Sequence, residues 1–437
     1  MNLCYAAAFA AAVSVGCARP GVSPAPVVGD RSVVEPPGVA ARAQFDAALT
    51  TFVRHDEAND WTEAACASVA SMFEAAAAAQ KGPFPQATYN AGLAHQRCHA
   101  EARAKALFER AANDDPTFHA AQAKLALYRH KGGADVDRAI AALQKSVEDG
   151  QFKNVAALVD LATMQMDRGG AHAAPGCKDD FECARLNLQR ALAIEDAYMP
   201  ALNQLALYYF QLARRRAGAH ERGGVQQLEL AALVCSQAIR KNARYAPIHN
   251  TAGLIQYELG HVNRAVEAFA TAMKLDPESF EAHMNYAAVN LSFRGFEPAE
   301  QAYRKAIALR PNDYDAHLGL ALSLRGPITG AEPDCDRRVA AVQRELDAAK
   351  RIDEGRPDAW FNEGILRHEL EARPGSGSDA QTIATLEKAE ASFNRFIDKA
   401  RGKAAYDGAV ARARERLEDI DTAKGFLRSQ PSAQRGR

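Results

Sequence analysis

Residues 246–279 (APIHNTAGLIQYELGHVNRAVEAFATAMKLDPES) and residues 280–313 (FEAHMNYAAVNLSFRGFEPAEQAYRKAIALRPND) have the same length and can be laid one over the other. Gly253 then falls on Ala287, Ala265 on Ala299, Phe269 on Tyr303, Ala272 on Ala306, Leu275 on Leu309 and Pro277 on Pro311. Each stretch reads as two helices joined by a turn. The small residue of the first helix admits a close crossing by the second, whose inner face carries alanine and an aromatic ring. Asp276-Pro277 and Arg310-Pro311 stop the second helix, because the residue before a proline is driven out of the helical region and proline cannot extend the ladder. A helical hairpin cannot bury its apolar face alone, so the repetition implies a stack.

The same offsets extend in both directions. From Pro85 they are filled by Gly92, Ala104, Phe108, Ala111 and Pro116; from His119 by Leu125, Ala126, Ala139 and Leu143, with a shift of one at Gly132-Gly133. Leu161, Ala162, Ala184, Leu188 and Ala191 follow from Val155, then Leu205, Ala206, Ala231, Cys235 and Ala238 from Met199. Leu320 and Ala321 open the next unit, and Trp360, Gly364 and Phe393 mark the last. Insertions are expected at 169–180 and 214–226, and long loops at 326–334 and 373–378. Insertions in a stack fall on one edge, where individual identity resides. Before the regular units, 40–84 reads as a degenerate helical pair, with Phe45, Leu49, Phe52 and Val53 on one face and Trp61, Val69, Met72 and Phe73 on the next. A charged helix over 401–427 reads as a solvating cap, and 428–437 as a disordered tail.

A period of 34 residues with this alternation of small and large positions resembles the tetratricopeptide (TPR) repeat, over 85–400. The resemblance implies an all-α, right-handed α-solenoid of about eight helix–turn–helix repeats. It also implies that the chain is no enzyme, needs no cofactor and works by holding other proteins. In that family the inner faces of successive first helices line a concave groove. At those offsets stand Tyr89, Leu93, Asn203, Leu207, Phe210, Asn250, Leu254, Tyr257, Met284, Ala288, Leu291, Leu318, Leu322, Phe361 and Ile365. This apolar strip with a few amides suits a helix or an extended segment. No lysine occupies the groove offsets of the central units, which argues against recognition of a C-terminal carboxylate.

The N-terminus adds a location. The run from Leu3 to Val15 is apolar, too short to span a bilayer and of the length of a signal-peptide core. It ends in Ser14-Val15-Gly16-Cys17, similar to a bacterial lipobox in which Cys17 is lipidated, although Ser14 stands where leucine is usual and no lysine or arginine precedes the run. Residues 1–17 are thus expected as a signal peptide, and the Pro/Gly-rich segment 18–39 as a flexible tether. Ala18 after the cysteine favours the outer membrane by the sorting rule of diderm bacteria. Four further runs, 230–241, 245–255, 285–296 and 310–321, resemble the TPR lipoprotein of the myxobacterial adventurous gliding-motility machinery. That implies an outer-membrane, periplasm-facing component of an envelope-spanning motility complex, or of its sporulation-associated relative, with other envelope proteins as partners. A TPR lipoprotein assisting assembly of a pilus or secretin complex is the first alternative, and an enzyme or metal-binding protein using the inserted loops the second.

Charge and cysteines bound the rest. With 53 basic and 54 acidic residues the net charge is −1, which offers nucleic acid no general attraction. Cys66 with Cys98 and Cys177 with Cys183 are candidate disulfides, Cys235 occupies an aromatic offset as a small buried residue, and Cys335 falls in a loop. There is no Gly-rich phosphate loop, nucleophile elbow or zinc-protease histidine pair. His95, Cys98 and His99 share a helix face and could approach one ion, and Asp179 and Asp180 could attract a cation, but a solvent-facing helix end and a solvated acidic loop explain them as well, and no metal is expected. His249, His283 and His317 recur at one repeat position, as part of helix packing.

Overall fold

The computed structural model describes residues 35–429, apart from 59, 99, 132–134, 175, 219–223 and 376. Cys17, the expected signal peptide, most of the tether and the tail from 430 lie outside the described residues. The degenerate pair is α1 (Val39–Ala58) and α2 (Glu63–Ala78). Hairpins follow as α3 (Pro85–Arg97) with α4 (Glu101–Asp114), α5 (His119–Lys131) with α6 (Val136–Asp149), and α7 (Val155–Arg168) with α8 (Asp180–Ile194). Next come α9 (Met199–Gly218) with α10 (Gly224–Lys241), α11 (Ala246–Glu258) with α12 (Val262–Leu275), and α13 (Phe280–Ser292) with α14 (Phe296–Leu309). The chain then forms α15 (Tyr314–Arg325) with α16 (Cys335–Ile352), α17 (Asp358–Leu366) with α18 (Asp379–Ala400), and the closing α19 (Asp407–Ser429). Among the described residues there is no strand, only a lone bridge between Ala174 and Cys177. The fold is an all-α solenoid of helical repeats.

The described chain divides into two compact units, one ending at Thr251 and the other beginning at Ala252, within α11. In both, the small-residue offsets do the work expected of them. A methyl placed on Gly92 would lie 2.7 Å from the Phe108 ring, on Gly253 2.5 Å from Phe269, and on Gly364 2.7 Å from Phe393. Those rings are fully buried, each worth about 2 kcal/mol by area removed from water. Caps fix turns both between hairpins and within one. Ser279 Oγ accepts from the Ala282 amide at 3.3 Å, Asp313 from Ala316 at 2.8 Å, and Ser378 with Gln381 forms a reciprocal capping box.

Three local expectations change. In α1 the buried stripe is Ala41, Phe45, Ala48 and Phe52, whereas Val53 is exposed, because a helix returns to one face every three or four residues. The 214–226 insertion is less of a loop than expected: α9 runs on to Gly218 and α10 begins at Gly224, so its good helix formers, such as Ala213 and the arginines from Arg214 to Arg216, prolong a helix. Cys335 does not lie in a loop but opens α16 as a buried residue. No helix among the described residues is long and apolar enough to cross a membrane.

Candidate interaction surface

The residues expected to line a groove are mostly interior. Tyr89 stacks against Phe108 and Phe118 with centroids 5.1 and 5.3 Å apart, and Leu93 beside it is fully buried. Asn203 accepts from the Thr251 hydroxyl at 2.8 Å, with Leu207 and Phe210 buried further along α9. Leu254, Met284, Ala288, Leu291, Leu318 and Leu322 are likewise buried, and Phe361 packs on Phe396 at 4.9 Å. Only Asn250, Tyr257 and Ile365 of the set are half-buried. As a correction, then, the strip is mainly packing between consecutive first helices. The sequence places small and large residues at these offsets, but how tightly successive hairpins nest sets how much of them is left uncovered.

The cysteines and acids resolve into structure. Cys66 is bonded to Cys98, tying α2 to the end of α3, and Cys177 to Cys183, closing the 169–180 insertion onto α8. The sulfur of Cys98 is therefore committed; His99 lies outside the described residues. The His95 ring sits below its ordinary range, held down by burial and by Arg103 nearby. Among the described residues no three metal-ligating side chains gather at one point. Asp180 is fully buried and accepts from Arg168 Nε at 2.9 Å and the Gly170 amide at 2.8 Å, while Asp179 caps α8. Arg168 and the Gly170 amide keep the Asp180 carboxyl below its usual range, against the upward push of burial. It is an internal anchor for the insertion. Cys235 and Cys335 are buried free thiols, and burial pushes Cys235 up to about 12. In the 326–334 loop the Glu332 carboxylate accepts from the Thr329 hydroxyl and amide and from the Gly330 amide, which lowers it to about 2.

Sequence reading missed a buried carboxylate in the last hairpin. Glu363, 1% exposed, receives Lys350 at 2.6 Å, Gln343 at 2.7 Å, Arg367 at 2.8 Å and the Ser392 hydroxyl at 3.0 Å. The five residues come from α16, α17, the single turn of π-helix Arg367–Glu371 and α18. Beside them Trp360 takes Lys350 and Arg395 over its ring, at 4.6 and 4.8 Å from the centroid.

The recurring histidines differ from one another. Each donates Nε2–H to the carbonyl of the residue six before it: His249 to Ala243, His283 to Pro277 and His317 to Pro311, at 2.8 to 3.0 Å. His317 also faces Glu345, with Nδ1 2.7 Å from the carboxylate, and this hydrogen bond raises its pKa. His283 Nδ1 is buried with no hydrogen-bond partner. The residue borders an open cleft of about 460 Å³ between α12, α13 and α14, which none of the residues expected for the groove lines.

Residues 246–279 match the family model described as Tetratricopeptide repeat, which supports that repeat as the unit quoted at the outset. No curated protein matches the chain. Among solved structures, the chain is similar to TTC0263, a thermophilic TPR protein of Thermus thermophilus, at 26% identity and a TM-score of 0.41, over 47% of this chain and 98% of that one. Against PilF of Pseudomonas aeruginosa the identity is 17% and the TM-score 0.43, over 59% and 97%. A tetratricopeptide repeat protein of Parabacteroides merdae is similar at 15% identity and a TM-score of 0.39, over 69% and 98%.

Proposed function

We propose that this chain is a protein–protein interaction scaffold with no reaction of its own. Lipid on Cys17 holds it at the outer membrane, facing the periplasm, as a component of an envelope-spanning gliding-motility complex or of its sporulation-associated relative. The observation that carries the reading is the pairing of stacked helical hairpins with two disulfides, Cys66–Cys98 and Cys177–Cys183. Stacked hairpins offer extended surface for other chains, and disulfides persist in oxidising compartments such as the periplasm. The lipobox-like end at Cys17 and the runs similar to motility lipoproteins support the finer placement.

The test is made in intact cells of the source organism. Photo-crosslinkers placed in the 169–180 insertion and the 326–334 loop are expected to capture envelope proteins of the motility complex, identified by mass spectrometry. Capture of a pilus or secretin component alone would replace the motility assignment. Cys17→Ala is expected to leave the chain in the soluble periplasmic fraction after a high-salt wash, and its retention in the outer membrane would remove the lipid anchor from the proposal.

A further inference from the structure

The hairpin α15–α16 shows what the cleft beside His283 lacks. Val342, Leu346 and Ala349 occupy in α16 the buried positions that Ala299, Tyr303 and Ala306 occupy in α14. Glu345, just before Leu346, therefore corresponds to Ala302, just before Tyr303. In one hairpin a built-in carboxylate meets the histidine Nδ1 at 2.7 Å; in the other an alanine leaves the equivalent Nδ1 buried and unanswered. His283 is 7% exposed, its Nδ1 is buried, and the residue borders the cleft that Ala302 helps to line.

The cations around the two histidines are exchanged as well. Lys274 and Lys305 line the cleft at His283. By the same register Lys274 corresponds to Ala308, and Lys305 to Ala348, around His317. So the histidine with its own carboxylate has alanines beside it, and the histidine without one has two lysines. Lys305 reaches Glu278 at 2.7 Å across the rim, an exposed pair that costs little to rearrange, and Lys274 forms no ion pair among the described residues. With Nε2–H committed to the Pro277 carbonyl, His283 can meet an acid through Nδ1 only as the imidazolium, the form in which His317 meets Glu345.

We propose that the cleft between α12, α13 and α14 receives an aspartate or glutamate side chain of a partner protein, which takes at His283 the place that Glu345 fills at His317. Lys274 and Lys305 add charge-assisted hydrogen bonds to the same carboxylate. None of the residues lining the cleft belongs to the buried strip of first-helix residues. This deepens the scaffold reading and rests on it.

The purified full chain is titrated against a fluorescein-labelled decapeptide of alternating glutamate and alanine, with the glutamine counterpart as control, by fluorescence polarisation. The glutamate peptide is expected to bind, and to bind about tenfold or more tightly than the glutamine one, a difference of about 1.4 kcal/mol. Ala302→Glu supplies the missing carboxylate from within and is expected to abolish binding with an unchanged or raised Tm. Lys274→Ala with Lys305→Ala, on the surface and safe for folding, is expected to weaken binding about tenfold, while Lys403→Ala leaves it unchanged. Carbodiimide coupling is expected to join the peptide to Lys274 or Lys305. Equal binding of the two peptides, full binding by Ala302→Glu, or stronger competition from inorganic phosphate than from free glutamate at the same concentration would overturn the site. Loss of this binding with crosslinked envelope partners retained would sink the cleft and leave the scaffold intact.

Discussion

The hairpin α11–α12 and the last hairpin, α17–α18, solve one problem with different additions. In both, a glycine meets a phenylalanine ring where the helices cross, Gly253 on Phe269 and Gly364 on Phe393. Around the second crossing there is also a buried anion, Glu363, held by Lys350, Arg367, Gln343 and Ser392, with Trp360 against the lysine. The crossing belongs to the repeat and recurs. The ionic cluster belongs to a single place, because it needs side chains from three consecutive helices and a π-turn to converge. A buried carboxylate is tolerable only when such donors surround it, so this end of the chain is fixed by several simultaneous contacts.

Three experiments would break or sharpen that contrast. Glu363→Ala is expected to give the largest effect, about 3 kcal/mol of destabilisation by thermal unfolding, since it takes the carboxylate from Arg367 and leaves Asp347 as the remaining ion-pair partner of Lys350. A change within error would mean the carboxylate adds nothing beyond the crossing. Gly253→Leu and Gly364→Leu should each cost about 2 kcal/mol, because even a methyl at either site enters the facing ring. If the two differ widely, the crossings are not equivalent and the repeat register assigned to one of them is wrong.

The smallest effect concerns the pair inside the regular region, His317 with Glu345. Its hydrogen bond raises the His317 pKa above the ordinary value, so its contribution is complete below about pH 6.5 and fades as pH rises through the raised value. Glu345→Gln should remove that dependence, lowering Tm at about pH 5.5 by the equivalent of less than about 1 kcal/mol and leaving it nearly unchanged at about pH 8.5. A variant that loses as much at high pH as at low would show that Glu345 acts by packing and not by charge.

The comparison also separates what was legible from what was not. Gly92, Gly253 and Gly364 announce close crossings because only a missing side chain lets a ring approach, and the prolines after α12 and α14 announce stops through local sterics. The groove residues were placed on the correct helices, yet Tyr89, Leu93, Phe210 and most of the others are buried, since nesting of neighbouring hairpins covers them. Nor does the offset pattern distinguish His283 from His317. Their difference resides at Ala302 and Glu345, in separate helices and after connections of unequal length.

The sequence by itself determined the helical hairpin, its small–large crossing and its end, because each of these is settled by residues within one period. Only the tertiary structure decided that Glu363 is neutralised by Lys350 and Arg367, that the strip of first-helix residues is covered, and that His283, with an unanswered nitrogen, borders a cleft that two lysines also line. Charge pairing and exposure depend on which side chains from different helices reach the same few ångströms, and a period along the chain carries no such distance.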